Sequence, residues 1–162
     1  MKYKLMMLVL LLAVNVVPAV ADDGKHLFIL SGQSNMRMFD ERPTFTPAVE
    51  KEFGKEYVIV VRKGFDGRKI MDWYNAPREG KNGRIAPGHP SGLYSDLMKK
   101  VKPAIEGKKI KTVTFIWLQG ESDAQRIRTD DDYEASFKGM VQTLEKDLDR
   151  KDINLVIARI SD

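Results

Sequence analysis

Four short apolar runs, at residues 26–30, 57–61, 112–118 and 154–160, are rich in β-branched side chains and are separated by stretches of helical spacing. Runs that stay apolar instead of alternating predict strands covered on both faces. Leu93, Leu97, Met98 and Val101 share one helical face. Tyr133, Phe137, Met140, Val141, Leu144 and Leu148 recur in steps of three and four, which predicts a second amphipathic helix. That helix opens on Asp130, Asp131 and Asp132 and closes on Lys146, Arg150 and Lys151, the charge order its dipole favours. Residues 47–53 predict a short helix. Buried strands alternating with helices predict an α/β fold, a three-layer α/β/α sandwich around a parallel sheet.

Such sheets bind ligands at the carboxyl ends of their strands. The first run leaves into Ser31-Gly32-Gln33-Ser34, the second into RKGFDGRKIMDW and the third into QGESDAQ. All three exits are polar. A further segment, residues 75–92, holds three prolines and four glycines, which predicts either a substrate-facing flap or a disordered excursion.

The first 21 residues have a different character. Lys2 and Lys4 precede an apolar run, and Ala19-Val20-Ala21 gives an A-x-A cleavage pattern. This predicts a signal peptide at 1–21 and an exported domain at 22–162, secreted or periplasmic, with no stable membrane association after cleavage. A retained anchor fits less well, because the apolar stretch is short and interrupted by Asn15 and Pro18. The chain has 162 residues, 43% of them hydrophobic, which suits one domain with its own core. It has no cysteine, so a thiolate nucleophile, a thiolate metal site and disulfides are excluded. The formal charge of +4 includes both leader lysines, so the exported part is near neutral and nucleic acid binding has no electrostatic support.

GQSNM at residues 32–36 and WLQGESD at residues 117–123, in this order and at strand ends, resemble the SGNH-type hydrolases. Within them the closest likeness is to the sialate O-acetylesterase and acetylxylan esterase branch of carbohydrate esterases. DGRKIMDW is similar to that branch's glycine-containing second motif. The resemblance implies a flavodoxin-like fold and a serine mechanism without cofactor or metal, acting on acetylated carbohydrate. It makes Ser34 the nucleophile, against the alternative of a serine that merely caps a turn or helix. The backbone N–H groups of Ser34 and Gly67 and the side-chain amide of Gln119 are the expected oxyanion donors, with Gly64 competing for the place of Gly67. Gln33, Asn35 and Glu121 are expected to support the site, Glu121 by accepting backbone hydrogen bonds that join the first and third motifs. Asp123 reads equally as a solvated cap carboxylate. Trp117 is expected in the core, and Trp73 either there or stacked on a sugar ring.

The resemblance also calls for a D-x-x-H motif that supplies the base and the acid orienting it. The expectation is that this motif lies beyond Asp162, the chain being the amino-terminal part of a longer protein. His26 starts the first strand, roughly 16 Å of extended chain from Ser31. His89 lies in the 75–92 segment without a D-x-x-H context. Two other functions stay open, a non-catalytic carbohydrate-binding protein on a hydrolase fold and a general lipase. A paired-carboxylate glycosidase is disfavoured, since Glu121 and Asp123 share one loop.

Overall fold

The computed structural model describes residues 24–80, 83–124 and 130–160. The predicted signal peptide lies outside them. In chain order the elements are β1 (Lys25–Gly32), α1 (Ser34–Met38), α2 (Phe45–Phe53), β2 (Val58–Gly64), β3 (Tyr74–Asn75), β4 (Arg78–Glu79), β5 (Ile85–Ala86), β6 (His89–Pro90), α3 (Gly92–Ile105), β7 (Ile110–Leu118), α4 (Glu121–Ala124), α5 (Asp130–Asp147) and β8 (Ile153–Ile157).

β1 explains the continuous apolar run. Successive strand residues face opposite sides. Leu27 and Ile29 join a core with Tyr94, Leu97 and Val101 of α3 and Met140 and Leu144 of α5. Phe28 and Leu30 instead pack with Met36 of α1 and with Phe45 and Val49 of α2. One strand thus serves two cores, and the expected three-layer α/β/α sandwich follows. Each fully buried aliphatic or aromatic side chain contributes about 1.5–3 kcal/mol.

The main sheet runs in the order β2-β1-β7-β8, and every pair is parallel. The chain moves outward from β1 to β2, then crosses back to place β7 on the other side of β1. The boundary between β1 and β7 is therefore the switch point at which such sheets open a crevice.

Several boundaries differ from expectation. β1 continues to Gly32 because the buried Ser31 hydroxyl donates to the Lys63 carbonyl at 2.9 Å, so a polar residue is tolerated inside the sheet. β2 is displaced to Val58–Gly64, with Tyr57 taken into a 3₁₀ turn. β8 ends at Ile157. The 75–92 segment is a ribbon among its described residues: β3 pairs with β6 and β4 with β5, both antiparallel. Its foot is Tyr74. A Cβ on Gly139 of α5 would lie 2.2 Å from the Tyr74 ring, and one on Gly88 would lie 2.6 Å from its hydroxyl. Both positions admit Tyr74 only as glycine.

Two tyrosines tie α3 and α5 to their neighbours. Tyr94 donates to Asp147 Oδ2 at 2.9 Å. Tyr133 donates to the Gln119 carbonyl at 2.9 Å and accepts from Trp117 Nε1 at 3.0 Å. Burial pushes the Tyr133 phenol up to about 12 and Tyr94 well above its ordinary value. The folded chain therefore keeps protons that the unfolded chain loses above pH about 10. Unfolding free energy should be level up to that point and fall as pH rises from about 10 to 12. Urea titrations across this range check it, and Tyr133→Phe should flatten the decline.

Candidate active site

The turn after β1 is fixed by contact with the end of β7. Gly32 has φ +152, and a Cβ there would lie 1.9 Å from the Leu118 carbonyl oxygen. The next residue donates back to the same strand, Gln33 N–H to Leu118 O at 3.0 Å. The chain then enters α1, whose first residue is Ser34. The opposite end of α1 is held by Arg62, whose Nη1 donates to the carbonyls of Met36 at 3.2 Å and Arg37 at 2.8 Å. β2 closes against the same turn, since a Cβ on Gly64 would lie 2.3 Å from the Arg37 nitrogen.

Ser34 does not cap this helix. Gln33 holds the N-cap position, and no side-chain cap bond is made. The Ser34 hydroxyl, partly exposed, has no hydrogen-bond partner among the described residues. Its N–H is one of the orphan donors of a helix start. Gly67 lies in the β2 exit at φ +57, with open space where a Cβ would be. Its N–H is likewise without a partner among the described residues. Gly64, by contrast, pairs with Gly32 at the end of the β1–β2 ladder and owes its glycine to close packing against α1.

Side chains lash the three exits together. Gln33 and Gln119, each 4% exposed, meet across the switch point, with Gln119 Nε2 at 3.4 Å from Gln33 Oε1. Gln33 Oε1 also accepts the Ser122 N–H at 3.3 Å. Gln119 Nε2 donates to the Arg68 carbonyl at 3.0 Å and to Asp123 Oδ2. Asp123 Oδ2 in turn accepts the Ile70 N–H at 3.0 Å, which ties the third exit to the second. Asn35 Nδ2 donates to Glu121 Oε1 at 2.6 Å and ties the first exit to the third.

This geometry revises several expected roles. The Gln119 amide nitrogen faces three acceptors, so it braces Arg68, the neighbour of Gly67, and presents no spare N–H to an oxyanion. Glu121 does join the first and third exits, but through the Asn35 side chain and not through backbone donors. Trp73 is 0% exposed and cannot stack on a sugar. Its ring meets Trp117 edge-on at 5.1 Å and Phe65 at 5.6 Å, as a core residue. Trp117 is in the core as expected, 1% exposed. His26 lies near the start of β1, at the opposite end of the strand from the exit to Ser34, with Nδ1 2.8 Å from Thr112 Oγ1 and its ring on Phe53. His89 lies in β6, exposed, with Nδ1 3.2 Å from the Pro90 carbonyl. Neither imidazole adjoins Ser34.

Asp123 is the brace that the sequence reading undervalued. The signal was its closeness in sequence to Gln119, four residues earlier in the same exit. Asp123→Ala should leave the buried Ile70 N–H without an acceptor and cost about 1–3 kcal/mol. Asp123→Asn, which keeps an acceptor oxygen, should recover much of that loss in a thermal melt.

Beside the Gly67 turn opens a cleft of about 410 Å³, lined by Arg68, Met71, Asp72, Asn75, Ser91, Gly92 and Leu93. It is bounded by the β2 exit, the foot of the ribbon and the start of α3, and is large enough for a single sugar ring.

Comparison with curated proteins gives no match. A family model described as carbohydrate esterase, sialic acid-specific acetylesterase, matches residues 38–162. The match contains DGRKIMDW and WLQGESD and begins just after GQSNM. With three strand exits cross-braced at the switch point of a parallel sheet, and most of its length matched, the chain belongs to the carbohydrate esterase family of sialic acid-specific acetylesterases.

Proposed function

We propose that this chain carries the nucleophile and oxyanion donors of a serine esterase that removes O-acetyl groups from a sugar or sugar acid. The observation that carries the reading is the turn at Ser34. A hydroxyl without a partner among the described residues stands on the first residue of a helix, at the switch point, and two N–H donors without partners among those residues, of Ser34 and Gly67, lie on adjoining exits held by side-chain braces.

In the reaction, Ser34 Oγ attacks the acetyl carbonyl carbon while its proton passes to a base. The carbonyl oxygen becomes an oxyanion, and the two N–H groups receive it, each such donor contributing about 3 kcal/mol in the transition state. Collapse breaks the bond to the sugar oxygen, which leaves with the proton from the base. Water then releases acetate from acetyl-Ser34 by the same route in reverse. The braces matter because the donors must be in place before charge develops. Gln119 and Asp123 hold Arg68 and Ile70, so the adjoining Gly67 does not have to reorganise during the reaction.

Neither His26 nor His89 serves as the base, and in this proposal the D-x-x-H segment implied by the resemblance supplies it. The enzyme is exported, to the periplasm or the medium, through its leader, and acts without cofactor or metal on a soluble or polymeric acetylated carbohydrate. Among the described residues no helix is long and apolar enough to cross a membrane.

Acetate release from O-acetylated sialic acid, acetylated xylan and long-chain acyl esters tests the reading. Turnover of an acetylated sugar with little cleavage of long chains is expected, and the opposite order would favour a lipase. Both imidazoles have partners other than Ser34, Thr112 Oγ1 for His26 and the Pro90 carbonyl for His89, and this favours one alternative, a non-catalytic sugar-binding protein, which would bind acetylated sugar and release no acetate from it.

A further inference from the structure

We infer that Arg62, held by Glu41, is a positioning residue for the nucleophile and acts on it through the far end of α1. The inference rests on the esterase reading for what Ser34 does, and on the structure for how Ser34 is held.

Arg62 stands where the pattern of its strand calls for an apolar residue. Val58 and Val60 pack with Phe28, Leu30 and Met36 on the sheet face that α1 and α2 cover, and Arg62 is the next β2 residue on that face. It lies beside Leu30 in the β1–β2 register. Its Nε donates to Glu41 Oε2, and the two side chains are only 26% and 19% exposed. The neighbouring pair of Arg42 with Asp40 differs, the Arg42 side chain being 82% exposed. Taking two charges out of water costs free energy that an apolar pair at the same place would not. Stability alone therefore gives no reason for this pair.

What the pair fixes is α1. A helix of five residues does not hold its shape unaided, and its last carbonyls have no donors within the helix. The Asn35 carbonyl takes the Phe39 N–H at 3.0 Å, and the next two carbonyls, of Met36 and Arg37, take Arg62 Nη1 at 3.2 and 2.8 Å. Both Nη1 hydrogens are thereby used while Nε goes to Glu41, so one planar group makes three bonds and sets the direction of α1 against β2. Ser34 is one helical turn away, where the Arg37 N–H donates to the Gln33 carbonyl at 2.9 Å. β2 is also the strand that leaves towards Gly67. Arg62 therefore joins the element that carries Ser34 to the one that carries Gly67, and it sets the gap across which their two N–H groups receive one oxygen. An unclamped α1 would keep the reacting groups and lose their alignment, a fault that lowers kcat more than it raises KM.

The test compares the full gene product with its Arg62→Lys variant and with the double variant Arg62→Met, Glu41→Gln, in which neither charge is left behind. Each is measured by steady-state hydrolysis of p-nitrophenyl acetate, by thermal melting, and by hydrogen exchange of the peptide spanning residues 34–39. The double variant should melt close to the wild type, since apolar replacement of a buried pair is often neutral. Its kcat should fall about 100-fold with KM within about twofold, the scale of a displaced reacting group, and exchange should quicken at residues 34–39. Arg62→Lys, which keeps the charge and loses the fork, should lie between. Arg42→Gln removes a positive charge from the exposed pair nearby and should change none of these readings, which separates alignment from a general charge effect. A folded double variant with wild-type kcat, a rise in KM at constant kcat, or a loss of rate that only follows the loss of folded protein would overturn the assignment. Should the double variant not fold, Arg62→Lys decides by the same split of kcat from KM. If the wild type hydrolyses no ester, the esterase reading fails, and exchange at residues 34–39 alone decides whether Arg62 holds α1.

Discussion

Ser34→Ala, made in the enzyme expressed from its complete gene, is expected to lower acetyl ester hydrolysis by about 10⁴-fold or more while leaving the fold intact. The size of the effect follows from the mechanism, since no neighbouring group can replace the attacking oxygen. The intact fold follows from the structure. The hydroxyl has no hydrogen-bond partner among the described residues and makes no cap bond, so deleting it orphans no buried group there. Thermal melts should coincide within the scatter of surface substitutions, about 0.5 kcal/mol. Sugar binding should also persist, because the cleft is lined by other residues. A variant that lost activity and stability together would point to a structural serine.

Gly32→Ala has the opposite profile, a large loss of stability with chemistry lost only as a consequence. The added carbon would lie 1.9 Å from the Leu118 carbonyl oxygen and 2.6 Å from its carbon. Both are backbone atoms at the end of a central strand, so no flexible side chain can yield. The residue also adopts φ +152, which side-chain-bearing residues rarely take. Relief would require pulling β1 from β7 at the switch point, and we expect a cost of about 4 kcal/mol or more. Against a typical domain stability of about 5–15 kcal/mol this is a large fraction. Chemical denaturation should show it as a lower midpoint or as insoluble protein. Gly67→Ala is the control. Its φ of +57 is also unfavourable to alanine, but its Cβ would meet nothing within 4 Å. The cost should be about 1–2 kcal/mol, that of the left-handed conformation alone.

These two glycines also show what could be read from the chain. The apolar runs and helical spacing were sufficient for the parallel sheet, because strands buried on both faces leave a plain mark in the sequence. The motifs placed Ser34 and Gly67 at the right strand ends for the same reason, since a polar, glycine-bearing break after an apolar run marks an exit. Gly32 belongs to the first motif, but its closeness to Leu118 depends on how β1 and β7 pair, and pairing is not written locally.

The roles that changed were those decided by long-range packing. Trp73 follows a polar loop and stays open in the sequence between the core and a sugar platform, and the 3₁₀ turn at Ile70–Asp72 decides it by carrying the ring inward against Trp117. Gln119 reads as a donor because the motif makes it one, whereas its partners Arg68 O and Asp123 come from two different exits. Asp123 was undervalued for the same reason, its acceptor role depending on the Ile70 N–H, 53 residues away in sequence. The 75–92 segment was ambiguous because its strands are two residues long, too short for any periodicity to register.

The most direct test of Ser34 as nucleophile is intact-protein and peptide mass spectrometry of the gene's full product, acid-quenched during turnover of an activated acetyl ester. A mass gain of one acetyl group located on Ser34, absent from the Ser34→Ala variant, is expected. Turnover with no acetylated intermediate in a rapid-quench series, or acetylation at another residue on which hydrolysis depends, would contradict it.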